Sequence, residues 1–128
     1  MSDTQDKFET VIREDARYLP EAYGFLHEAL ALAVERVHDA AVEKDRHVSG
    51  QQLSAALRDL ARMRYGLMAK TVLQSWGVRK SIDFGNMVYL LIENELMGKA
   101  DGDSIEDFRD QFDTETDLDT LADIRFCD

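Results

Sequence analysis

Three histidines, one cysteine and 26 acidic side chains are the groups in these 128 residues that could hold a metal or move a proton. Glu35 and His38 have the Glu-x-x-His spacing by which helical bundles hold paired metals, but that site needs the motif on two helices together with further glutamates. Neither His27 nor His47 follows such a glutamate. His27 and His38 share a helical face, yet eleven residues at about 1.5 Å each set them about 16 Å apart. One ion cannot span them, and the sequence implies no metal and no cofactor. For nucleophilic chemistry the sole thiol, Cys127, lies in an acidic terminal segment, and no serine sits in a nucleophile elbow or beside a base. Acids abound without a pattern that marks one as buried enough to shift its pKa. The expectation is a protein that is not an enzyme.

Asp83-Phe84-Gly85 spells the magnesium-holding tripeptide of protein kinases, but the chain is too short for that fold and lacks its glycine-rich and catalytic loops. Phe84 reads better as a core anchor. The more informative pattern is one of charge. From 51 to 82, Arg58, Arg62, Arg64, Lys70, Arg79 and Lys80 face a single acid, Asp59, inside a chain of net charge −11. Trp76 and Tyr65 flank these cations, an aromatic and cationic combination enriched at protein interfaces. The candidate interaction residues are therefore Arg58, Arg62, Arg64, Arg79, Lys80, Trp76 and Tyr65.

The elements that must position them read as helices. Phe8, Val11, Ile12 and Ala16 recur at helical spacing over 5 to 16. Pro20 suits a first helical turn, Glu21 complements its positive end, and Tyr23, Leu26, Leu30, Val34 and Val37 then mark the longest helix, 20 to 43. Its alanines allow close approach of a partner helix, with Glu28, Glu35 and Asp39 facing water. Ser49 with Gln52 has the form of a capping box. The helix it opens buries Leu53, Leu57 and Leu60 and ends near Gly66. A shorter helix carrying Met68, Val72 and Leu73 stops at Trp76-Gly77, and a third begins with Ser81 as its cap and Phe84, Met87, Val88, Leu91 and Ile92 as its apolar residues. Asp101-Gly102 signals a turn, and Ser104 with Asp107 caps a short helix through Phe112. Residues 101 to 128 hold 11 acids against Arg109 and Arg125.

This length suits one domain with a core of its own, needing no disulfide or metal. A lone cysteine implies a reducing setting. The acidic first twenty residues resemble neither a signal nor a transit peptide, and no apolar run is long enough to span a bilayer. The expected location is cytoplasmic, with no membrane partner.

Four separated stretches carry a family resemblance: Arg17-Tyr18-Leu19-Pro20-Glu21-Ala22-Tyr23, His47-Val48-Ser49-Gly50, Tyr65 through Val78, and Asp83-Phe84-Gly85-Asn86-Met87-Val88. In this order they resemble a small bacterial family of conserved hypothetical proteins of planctomycete and verrucomicrobial type, over about 8 to 112. The resemblance implies folding as one unit and brings no assigned reaction. A second, shorter pattern is similar to winged-helix domains. There Met68 to Val78 would be the first helix of a helix-turn-helix, Asp83 to Glu95 the second, and Leu96-Met97-Gly98-Lys99 with Asp101-Gly102 the start of a wing.

The expected architecture is thus all-α: four to five helices in one domain, 1–112, with a helix-turn-helix-like core, room for a small winged hairpin, and an acidic C-terminal tail, 113–128. The expected role is a non-catalytic protein–protein interaction or regulatory module whose partner presents an acidic or mixed surface. The alternative is a nucleic-acid-associated winged-helix-like regulator with an autoinhibitory acidic tail. Reading bases is disfavoured because the second helix of the pair carries Asp83, Glu93 and Glu95 and no Lys or Arg. Composition does not set the oligomeric state.

Overall fold

The structure, a computed structural model, describes residues 3–40 and 47–118. Five helices, α1 (Asp3–Glu14), α2 (Pro20–Ala40), α3 (Gly50–Tyr65), α4 (Ala69–Ser75) and α5 (Ser81–Glu93), are followed by a single helical turn, α6 (Thr114–Asp117). Two 3-10 turns, Gly66–Met68 and Ile105–Phe108, complete the order. The fold is all-α. The predicted end of α2 at 41 to 43, and residues 119–128 with Cys127, lie outside the described residues.

Local chemistry sets most boundaries. Pro20 opens α2, where its missing N–H is not needed. Ser49 caps α3 from an extended conformation: its Oγ accepts from the Gln52 N–H at 3.1 Å, and Gln52 Oε1 accepts from the Ser49 N–H at 2.8 Å. Gly66 ends α3 at a φ of +50°, a region that favours glycine. At the far end of α4, Gly77 has a φ of +94°, and a Cβ there would lie 2.4 Å from the Arg17 carbonyl oxygen. The chain before α2 crosses at that point, and the Leu19 N–H donates to the Trp76 carbonyl at 3.1 Å.

α2 packs along α3, and Ala22, Ala29 and Ala33 of α2 and Ala56 and Ala61 of α3 are all buried. Small side chains at these positions let the two helices approach closely. Tyr23, Leu26, Leu57, Leu73, Phe84, Met87 and Leu91 fill the core that the helices share. Val88 is buried as expected, while Leu60 and Val72 are partly buried against its edge.

Four sequence expectations about the fold need correction. Ser81 does not cap α5. It is the first residue of that helix and fully buried, and the capping acceptor is Asp83 Oδ2, which takes the N–H groups of Arg79 and Lys80 at 2.8 and 3.0 Å. No winged hairpin forms among the described residues. Residues 96–104 are irregular apart from a turn closed by the Asp103 N–H on the Ala100 carbonyl at 3.1 Å, and the one β-bridge pairs Lys80 with Asp113. Ile105, Phe108 and Phe112 recur every three to four residues, a spacing that lets a 3-10 turn plug the core and does not alternate as a strand would. The Ser104–Asp107 box is present, but the helix it opens stops at Phe108.

Lastly, residues 113–118, which the charge pattern assigns to a tail, pack on the domain. Thr114 and Leu118 are fully buried. The Thr114 N–H and Oγ1 both donate to the Arg79 carbonyl at 2.8 Å.

Candidate interaction surface

α3 carries Arg58, Arg62 and Arg64, α4 carries Lys70, and the turn into α5 carries Arg79 and Lys80. The protein's own acids answer several of them. Arg58 Nε and Arg36 Nη1 meet the two oxygens of Asp59 at 3.2 and 2.9 Å. Arg64 pairs with Glu28 of α2 and lies over the Phe25 ring at 6.0 Å. Lys70 Nζ is 2.9 Å from Glu115 Oε2. Hydrogen bonds from Lys70, and after it from Gln74, hold the Glu115 carboxyl below the usual range.

Arg62 differs from these. Its Nε and Nη2 donate to the Asp117 carbonyl oxygen at 3.2 and 2.6 Å, so its charge is positioned while no acid among the described residues pairs with it. Arg79 and Lys80 have exposed side chains and form no ion pair among the described residues. The segment 113–117 thus touches both halves of the basic stretch: Arg62 and Lys70 through side chains, Arg79 and Lys80 through backbone.

The two aromatic residues do not share one environment. Trp76 is only 9 % exposed, packed against Phe25 at 5.4 Å and edge-on to Tyr65 at 5.9 Å between ring centres. It is a core residue at the end of α4 and offers no ring face to a partner. Tyr65 is half-buried and continues the same stack toward Phe25 at 6.0 Å.

Sequence reasoning missed the apolar part of this surface. Met63, Leu67 and Met68 are 66, 50 and 55 % exposed, and with Leu19 they make up the large exposed hydrophobic residues among those described. Three of the four fall within six residues, next to Arg62 and Arg64. Met63 lies about 120° around α3 from the buried Leu57, at roughly 100° per residue. The periodicity alone placed Met68 on the apolar side of α4. The Gly66–Met68 3-10 turn breaks the phase between α3 and α4 and leaves it outside.

Among the described residues no three His, Cys, Asp or Glu side chains come together as metal ligands would. The side chain of His38 lies outside the described residues, which leaves the Glu35–His38 spacing without geometry. No described helix is long and apolar enough to cross a membrane. No protein-family model, curated protein or solved structure matches the chain, so its function must be argued from this geometry.

Proposed function

We propose that the protein is a non-catalytic, cytoplasmic interaction or regulatory module that engages a protein partner through the end of α3 and the turn that follows. The observation that carries this reading is the cluster of exposed Met63, Leu67 and Met68 beside Arg62 and Arg64 in a chain of net charge −11. Flexible, polarizable methionines suit an adaptable contact surface, and exposed apolar groups rimmed by charge mark interaction sites. The adjacent arginines favour a partner with an acidic or mixed surface, and they make encounter sensitive to salt. Arg58, Arg79 and Lys80 would contribute at the rim, where charges act more on association rate than on affinity.

The test is affinity capture from native lysate with the wild type beside a Met63→Glu/Met68→Glu variant. Both side chains are exposed, so the variant should fold. A partner held by the wild type and lost by the variant supports the reading. Identical capture profiles for the two proteins would sink it.

A second reading, a nucleic-acid-associated regulator whose acidic C-terminal segment covers the basic stretch, is favoured by the contacts of Arg62 and Lys70 with residues 115–117. It stands behind the first because α5 carries no Lys or Arg to meet phosphates. Binding of duplex DNA that falls steeply as salt rises would reverse the order.

A further inference from the structure

An open cavity of about 260 Å³ lies where α2, α3 and α5 meet the 3-10 turn 105–108, and it shares no lining residue with the 62–68 surface. Its apolar walls come from Leu30 and Val34 of α2, Leu53 of α3, Val88 and Ile92 of α5, and Phe108. Leu30, Val34 and Ile92 remain partly exposed there, so described elements converge without covering them. The opposite wall is tightly seated. A Cβ at Gly50 would lie 2.6 Å from Asp107 Cβ, and one at Gly85 would lie 2.8 Å from Phe108 Cβ. The turn therefore rests directly on the backbones of α3 and α5, and the hollow beside it is bounded by held structure.

The charged lining is acidic apart from His47, which meets Asp103 at 3.0 Å. Asp103 and Asp107 contribute carboxylates, and no Lys or Arg lines the cavity among the described residues. Both acids are fixed by backbone donors: Asp103 Oδ2 accepts from the Ala100 N–H at 2.9 Å, and Asp107 Oδ2 accepts from the Ser104 N–H at 3.1 Å. The Ala100 donor first, and then His47 Nε2 at 3.0 Å, hold the Asp103 carboxyl below its usual range, so it is ionised at neutral pH. Gln51 Nε2 reaches Asp107 Oδ1 at 3.3 Å. A carboxylate accepts about four hydrogen bonds, so each keeps capacity for another donor. An apolar hollow with a few fixed polar groups at one side is the usual form of a small-molecule site.

We infer that this cavity binds a small amphipathic cation, an alkylammonium whose chain lies on Leu53, Val88 and Phe108 while its head meets the carboxylates of Asp103 and Asp107. Apolar burial supplies the affinity and the paired carboxylates select the charge. This site is independent of the proposed protein-binding surface, and neither reading needs the other.

The test titrates the full-length protein with n-octylammonium, n-octanol and n-octanoate, each below its aggregation limit, by calorimetry and amide chemical shifts. The expected result is saturable n-octylammonium binding that is at least tenfold tighter than binding of the other two, with shifts centred on residues 88–92 and 103–108. Asp103→Asn/Asp107→Asn should weaken n-octylammonium about tenfold and leave n-octanol unchanged. Val34→Trp, which fills the mouth from a partly exposed position, should abolish binding. Should the double variant fail to fold, the three-ligand comparison on the wild type decides. Octanol binding as tightly as the cation, octanoate binding tighter, no saturable shifts at those residues, or a folded Val34→Trp that binds normally would each overturn the inference.

Discussion

The Ser81 hydroxyl donates to the Phe108 carbonyl at 2.5 Å and accepts from the N–H groups of Gln111 and Phe112 at 3.0 and 3.2 Å. One buried side chain at the start of α5 thus satisfies three backbone groups of a segment about thirty residues on. Removing it strands those groups away from water, where each unsatisfied partner is costly. Ser81→Ala should lower stability by about 1–3 kcal/mol, read as a shift in the midpoint of chemical denaturation. A midpoint equal to that of the wild type would show that the 108–112 segment is held by Phe108 and Phe112 alone.

Leu118 is fully buried although it belongs to the acidic segment. Leu118→Ala should cost about 2–5 kcal/mol, as a large-to-small change in a packed core does. Leu57→Ala and Leu91→Ala, at the centre of α3 and α5, should fall in the same range. A loss at Leu57 and Leu91 with none at Leu118 would mean that the segment after Phe112 adds nothing to the core.

Gly77→Ala combines a φ of +94° with a contact of 2.4 Å to the Arg17 carbonyl, and backbone cannot yield as the tip of a side chain can. The variant should lose more than about 1 kcal/mol. Amide exchange should also quicken at Leu19, whose N–H is held by Trp76. Unchanged exchange there would argue that the crossing of the two segments is loose.

Burial, and then the hydrogen bond to Asp83, push the Tyr18 phenol up to about 12, with Asn86 donating to its oxygen in opposition. A group whose folded pKa is raised contributes stability that is fully present below its unfolded pKa, near 10. That contribution is lost as the pH climbs through the folded value. Melting temperature should therefore fall between about pH 10 and 12, and Tyr18→Phe should flatten part of that fall. Tyr23, raised by burial and by its bond to Asp15, keeps the remainder. Parallel alkaline limbs in wild type and variant would contradict this assignment.

Features decided within a few residues were legible in the sequence. The Ser49–Gln52 box, Pro20 at the head of α2, Gly66 at the end of α3 and the burial of Leu57, Phe84 and Leu91 follow from local capping, backbone and periodicity. What escaped depends on distant partners. Trp76 looked free because nothing near it in sequence foretells Phe25 beneath it. Ser81 looked like a cap because its true partners lie at 108–112. The acidic run after Phe112 looked solvated because Thr114 and Leu118 are two residues among many charges, and their sockets belong to other elements. Met68 read as an ordinary helix apolar until the 3-10 turn rotated α4 against α3.

The Tyr18–Asp83 hydrogen bond, 2.7 Å long, closes a loop of 65 residues. Contacts of such long sequence separation carry a large closure entropy and tend to form after nearer ones. The α2–α3 pair, neighbours in the chain, has the shorter search and suits an early folding nucleus. The strap from Asp15 to Leu19 would then seat late on the end of α4 and the start of α5. Defects confined to it should speed unfolding more than they slow folding, so this junction governs how long the native state persists once formed.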